Sequence, residues 1–110
     1  MRVLEFKRPV FKRGMNYTVR LGTKWANVRV GREIKIANTK KTAYICYVTR
    51  CLLLMLVRMQ EILRNEHDPS CRTFAGLVRE LQRVYGKRRV DPISEVVCLG
   101  FTVHEGAHLK

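Results

Sequence analysis

Between residues 16 and 21 the side chains alternate: Tyr17, Val19 and Leu21 are apolar, while Asn16, Thr18 and Arg20 carry an amide, a hydroxyl and a guanidinium. A period of two is that of a strand with one face in a core and one face wet. Gly22 ends the run, and Thr23, Lys24 and Trp25, the chain's only Trp, follow as a loop beside the polar face. Residues 3–6 read as a short strand before it, joined to it by a basic connection, 7–15, that Pro9 and Gly14 break. After it, Val28, Val30 and Gly31 lead into a third strand in which Ile34 and Ile36 alternate with Glu33 and Lys35. A polar turn at 38–41 precedes a fourth strand, 42–51, apolar on both faces and therefore expected to be the most buried of the sheet.

The period then changes. Met55, Met59, Ile62 and Leu63 recur at helical spacing and predict a helix over 54–65, closed by the segment 66–70 with its Pro69. Phe74, Leu77, Val78, Leu81, Val84 and Tyr85 form the clearest amphipathic stripe, a second helix that Gly86 stops. A basic loop with Lys87, Arg88 and Arg89 leads to a last strand, 94–103, and the residues from 104 to 110 read as a flexible tail. Four strands, two helices and a closing strand predict an α+β fold: a small barrel or half-barrel of five to six mostly antiparallel strands, built from consecutive hairpins, with the helices on one side.

Charge is what composition adds. The 110 residues suffice for one domain, 1–103, and 46% hydrophobic with 28% charged residues is the balance of a folded globule. Lys and Arg number 22 against 9 Asp and Glu, net +13, an excess that repels itself unless the partner is a polyanion. Residues 1–50 hold 13 of the bases against only Glu5 and Glu33, net +11, whereas the other 60 residues hold 9 against 7, net +2. The positive field thus belongs to the half that contains the alternating stretch. No apolar leader opens the chain, and its longest apolar run, seven residues from Cys51 to Val57, is far below the roughly 20 of a membrane span. The expectation is a cytoplasmic protein with no membrane association. Cys46, Cys51, Cys71 and Cys98 form no CxxC pair and read as small buried hydrophobes without disulfide or metal roles. No cofactor is called for. His104, Glu105 and His108 spell HExxH, but the match follows a strand and contains Gly106, so it is not read as a zinc site.

The order of elements and several local motifs resemble the ASCH domain, a member of the PUA-like superfamily of small pseudo-barrels. The matching pieces are Leu4-Glu5-Phe6, Gly14 followed by Tyr17-Thr18-Val19-Arg20, Val30-Gly31-Arg32-Glu33-Ile34, the run Leu81-Gln82-Arg83-Val84-Tyr85-Gly86, and a final strand with Val96, Val97 and Phe101. They span about residues 3–103. The resemblance implies RNA binding in a cleft between barrel and helices, walled by the polar face of 16–21. Some members of the family are amidohydrolases of an acylated cytidine, or ribonucleases. The former carry a Gly-x-Lys-x-x-Thr-x-Arg pattern and a Glu before the second helix. Thr18 and Arg20 match that pattern, but Met15 stands at the Lys position and the Glu position falls near Ser70, with Glu66 and Asp68 shifted from it.

The candidate RNA contacts are Arg8, Lys12 and Arg13 in the first connection, Thr18 and Arg20 on the strand, Lys24 and Trp25 after it, and Arg88 in the second basic loop. Arg grips phosphate in a bidentate fork, a hydroxyl reads a base or sugar edge, and an exposed Trp stacks a base. Trp25 has a second reading, as a cap on the barrel core, and Tyr17 reads as core. The primary reading is an RNA-binding domain without chemistry of its own. The alternative is a hydrolase on the same scaffold using Thr18, Lys12, Glu66 and Asp68, which requires a carboxylate and an amine within reach of the Thr18 hydroxyl. A third reading is an interaction module whose basic face meets an acidic protein or a ribonucleoprotein.

Overall fold

A computed structural model describes residues 2–105. Five strands, β1 (Val3–Leu4), β2 (Asn16–Leu21), β3 (Glu33–Ile36), β4 (Lys41–Leu52) and β5 (Glu95–Glu105), form one sheet in the order β1-β3-β4-β5-β2. Only β3 and β4 make a hairpin of consecutive strands, through a turn in which Asn38 takes φ 62°. β1 runs parallel to β3, and β2 pairs antiparallel with β5 rather than with its sequence neighbours. The expected barrel is not formed: β1 and β2 lie at opposite edges of an open mixed sheet. The chain is a small α+β domain with its helices between the fourth and last strands, as the order of periodicities predicts.

The most buried strand is β5, not β4. β5 is paired on both sides along Val96–Phe101, whereas β4 loses its β3 partner beyond Tyr44. The double-faced apolar pattern of β4 has a specific cause. Ile45 pairs with Phe101 and Tyr47 with Gly100, so Cys46 is an inserted residue that flips the alternation. Ala43 and Ile45 therefore pack on one face of the sheet, and Tyr47 and Cys51 on the other. Gly100 is required where the strands converge, since a Cβ there would lie 2.8 Å from Tyr17 Cε1 and 2.9 Å from Tyr47 Cβ.

The helices cover one face. α2 (Phe74–Tyr85) occupies the predicted span, starts at Thr73, whose Oγ1 accepts from Gly76 N–H (3.1 Å), and buries Leu77 and Leu81 against Val19, Val96 and Cys98. The predicted helix over 54–65 is two pieces: a 3₁₀ segment, Leu53–Arg58, then α1 (Gln60–Arg64), separated by Met59 at φ −104°, ψ 63°. Leu53 and Leu56, three apart, are the residues that reach the core, which suits three residues per turn. The opposite face carries a second cluster, Leu4, Trp25, Ile34, Ile36, Ala43, Ile45, Val97, Leu99 and Phe101, roofed by irregular chain bearing Phe6, Phe11 and Val28. The final strand extends two residues beyond the predicted end at 103, into His104 and Glu105. The rest of the tail expected at 104–110, residues 106–110, lies outside the described residues.

All four cysteines are free, Cys71 and Cys98 buried and Cys46 and Cys51 half-buried. Among the described residues no helix is long and apolar enough to cross a membrane.

Candidate nucleic-acid interface

β2 divides its side chains as its alternation requires. Tyr17 and Val19 enter the core under the helices, while Asn16, Thr18 and Arg20 lie on the opposite face of β2, the side of the second cluster. That face is chemical but not open, for Asn16 and Thr18 are buried. The Asn16 amide is stitched to the basic connection: Oδ1 accepts from Lys12 N–H (3.0 Å), and Nδ2 donates to Lys12 O (2.9 Å) and Gly14 O (3.3 Å). Arg20 donates through Nη2 to Glu5 O (2.8 Å) and through Nε to Thr18 Oγ1 (3.3 Å), and its guanidinium lies 4.8 Å from the Phe6 ring centroid. Both residues therefore hold the chain that precedes their strand. Burial lowers the basicity of Arg20, against the favourable charges of Tyr85, Glu66 and Glu5.

The free edge of β2 is closed by the segment that links the helices. Tyr17 N–H donates to Asn65 O and His67 N–H donates to Tyr17 O, each at 2.9 Å, a short parallel bridge. This bridge brings Glu66, His67 and Asp68 inward, all three buried. Glu66 is 3% exposed; its Oε1 accepts from Asp68 N–H (2.8 Å), and its main-chain oxygen accepts from Arg72 Nε (2.9 Å). Burial pushes its carboxyl up to about 8; the Asp68 charge adds to this, and N–H groups of Asp68 and Val19 with Arg20 oppose it. At neutral pH Glu66 is mostly a neutral acid. The His67 ring packs edge-on against Phe6 (4.6 Å) and beside Phe11 (5.5 Å), with Nδ1 3.2 Å from Val10 O, which makes Nδ1 the protonated nitrogen. Burial lowers its pKa, so the ring is neutral. For Asp68, burial acts to raise the pKa, but bonds from Ser70 N–H (3.0 Å) and Ser70 Oγ (2.9 Å), with His67 and Arg8 nearby, outweigh it and keep the carboxylate charged.

The outcome is a basic loop without regular structure yet held at three places: Val10 by His67, Lys12 by Asn16, and Phe11 by packing on Phe101 (5.8 Å). Lys7, Arg8 and Arg13 are exposed and Lys12 is half-buried. None of these four makes a salt bridge among the described residues; the ion pairs formed there are Arg50–Glu95, Arg64–Glu61 and Arg83–Glu80.

The predicted site residues divide accordingly. Arg8, Lys12 and Arg13 belong to the pinned loop, with Thr18 and Arg20 beneath it and Arg8 close to Asp68. Trp25 is core: it is buried in the second cluster, with the Arg2 guanidinium 4.9 Å from its ring centroid, so it offers no open stacking platform. Lys24 is exposed beside it, its carbonyl accepting from Arg2 Nη2 (3.0 Å). Arg88 lies apart, in a 3₁₀ turn after α2. Sequence reasoning placed none of Asn16, Phe6 and His67 among the candidate site residues. An amide on the strand's polar face, next to a loop rich in unpaired main-chain groups, was the available signal for Asn16.

For the hydrolase set, the Thr18 hydroxyl has Arg20 Nε as its hydrogen-bonding partner among the described residues. Glu66 and Asp68 instead engage main-chain N–H groups and Ser70, and Lys12 meets Asn16 through its main chain. Among the described residues no hydrogen bond joins the Thr18 hydroxyl to Lys12, Glu66 or Asp68. His104 is a strand residue with Nε2 2.9 Å from Thr102 Oγ1; the rest of the HExxH match, including His108, lies outside the described residues. No protein-family model matches the chain, and comparison with curated proteins and with solved structures gave no match either.

Proposed function

We propose that the chain is a cytoplasmic RNA-binding domain of the ASCH type, acting through its pinned basic loop without chemistry of its own. The observation that carries this reading is a loop with four cations, Lys7, Arg8, Lys12 and Arg13, none of which makes a salt bridge among the described residues, on a backbone fixed by Asn16 and His67. Cations held ready on a fixed path bind a phosphate chain with little ordering cost, and the release of condensed counterions drives the association. Arg20 and Thr18 serve as supports that hold the loop's approach, and Lys24 extends the positive surface past the strand. Single-stranded or structured RNA is the favoured form, since an irregular loop can follow a backbone that is not a regular duplex.

Filter binding with a pool of short RNAs at two salt concentrations tests this, with duplex DNA as competitor. Wild type is expected to bind with a steep salt dependence, and Lys12→Glu with Arg13→Glu to bind at least tenfold more weakly with a shallower one. No binding, binding indifferent to salt, or full displacement by DNA would refute it.

A further inference from the structure

The helical side of the sheet ends in a surface that the core does not use. Leu53–Arg58 is apolar in every residue but the last, yet only Leu53 and Leu56 are buried. A helical segment apolar all round belongs in an interior. Here Leu54, Met55 and Val57 are 43%, 47% and 49% exposed, with Leu52 beside them. Ile93, 69% exposed, joins them on a turn tied to this segment: Leu53 N–H donates to Ser94 O (2.8 Å) and Leu54 N–H to Pro92 O (2.9 Å). Leu54, Met55, Val57, Arg58 and Met59 line an open groove of about 560 Å³. Scattered exposed apolar residues are ordinary, but a contiguous set around a groove marks a contact surface, and thioethers adapt their shape to what covers them.

Charge identifies the occupant. Arg58 forms part of the groove, and Lys87, Arg88 and Arg89 sit on the loop whose far end carries Ile93, none of them in a salt bridge among the described residues. Of the acids nearby, Glu95 pairs with Arg50 Nε (2.7 Å) and Glu61 with Arg64 Nη2 (3.6 Å), while Asp91 accepts from Ile93 N–H (2.9 Å) and stands as one carboxylate beside three cations at Lys87, Arg88 and Arg89. A second copy of the chain would meet this basic rim with its own charge of +13. We infer that the groove docks an acidic amphipathic segment of a partner protein. Its apolar side chains lie over Leu54, Met55, Val57 and Ile93, and its carboxylates face Arg58 and the Lys87–Arg89 loop. The groove is at the Glu95 end of β5 and the pinned loop at the Phe101 end, six residues or roughly 20 Å away, so the two surfaces can be occupied together.

Fluorescence anisotropy with a labelled acidic helical peptide, Leu recurring every third and fourth position, tests the inference against a scrambled peptide of the same composition. The ordered peptide is expected to bind wild type at least tenfold more tightly than the scrambled one, and Leu54→Asp with Val57→Asp to erase that difference. Ile93→Asp, on an exposed turn, is expected to weaken binding with no change in melting temperature, which separates lost docking from lost folding. Equal affinity for the two peptides, or unaltered affinity in these variants, overturns the inference. So does a concentration-dependent dimer, or binding to phosphatidylserine vesicles, that the double variant removes, because the groove would then serve self-association or a lipid surface.

Discussion

The two faces of the sheet are covered by different means. Under the helices, Tyr17, Val19, Val96 and Cys98 meet Leu53, Leu56, Leu63, Leu77 and Leu81, and apolar filling closes the layer. On the other face Val97, Leu99 and Phe101 are roofed by coil, and the chain is held there by buried polar groups, Asn16 and Thr18 among them, with His67 at the edge of β2. No buried side-chain nitrogen or oxygen among the described residues lacks a partner. Coil has unpaired main-chain groups that helices satisfy internally, so a face roofed by coil needs polar side chains where a face roofed by helices needs leucines. The second solution costs apolar contact but leaves part of the roof's side chains facing outward, Lys7, Arg8 and Arg13 among them.

The comparison breaks first at its apolar centres. Phe101→Ala should destabilise by about 3–5 kcal/mol and Leu77→Ala by about 2–5 kcal/mol in urea unfolding, because each leaves a cavity in one of the two layers. If the coil roof collapses onto the space more easily than the helical one does, Phe101→Ala will fall at the low end of its range.

Glu66 sharpens the contrast through pH. Its folded carboxyl titrates at about 8 against an ordinary 4.5, so between those values the folded state holds a proton that the unfolded state has released. The contribution of Glu66 to stability therefore falls as pH rises from 4.5 to 8 and is flat on either side. Glu66→Gln, neutral at every pH, should match wild type near pH 4.5 and exceed it by on the order of a few kcal/mol at pH 9. A gap between the two proteins that does not widen with pH would show Glu66 to be ionised throughout.

The smallest effect is the most local. Asn16→Ala removes the stitch to Lys12 and should cost about 1–3 kcal/mol. Hydrogen exchange should rise at the Lys12 amide, which donates to Asn16, and stay unchanged in α2. Faster exchange across α2 as well would mean that the two faces unfold as one.

Strands and the second helix were legible because their signals are local. β2 and α2 occupy the spans that period two and period 3.6 predicted, bounded by Gly22 and Gly86. Pairing was not legible: β2 lies beside β5, with Arg20 opposite Val97, 77 residues later, and alternation does not encode a partner. The Cys46 insertion read as a strand buried on both faces, since an extra residue and a doubly covered strand write the same apolar pattern. The break at Met59 was hidden for a similar reason, as spacings of three fit a 3₁₀ turn and an α-helix alike. In the candidate site, the loop cations could be read from charge alone. Trp25 and Thr18 could not be placed, because their burial depends on the coil that folds over them.

His67 and Asn16 grip the loop by its main-chain atoms, Val10 O in one case and Lys12 N–H and O in the other. The path of the loop is thereby uncoupled from the identity of the side chains it displays. Lys7, Arg8, Lys12 and Arg13 form a surface that can be rewritten residue by residue while the scaffold stays as it is, the condition that makes a small domain evolvable toward a new ligand and amenable to directed redesign.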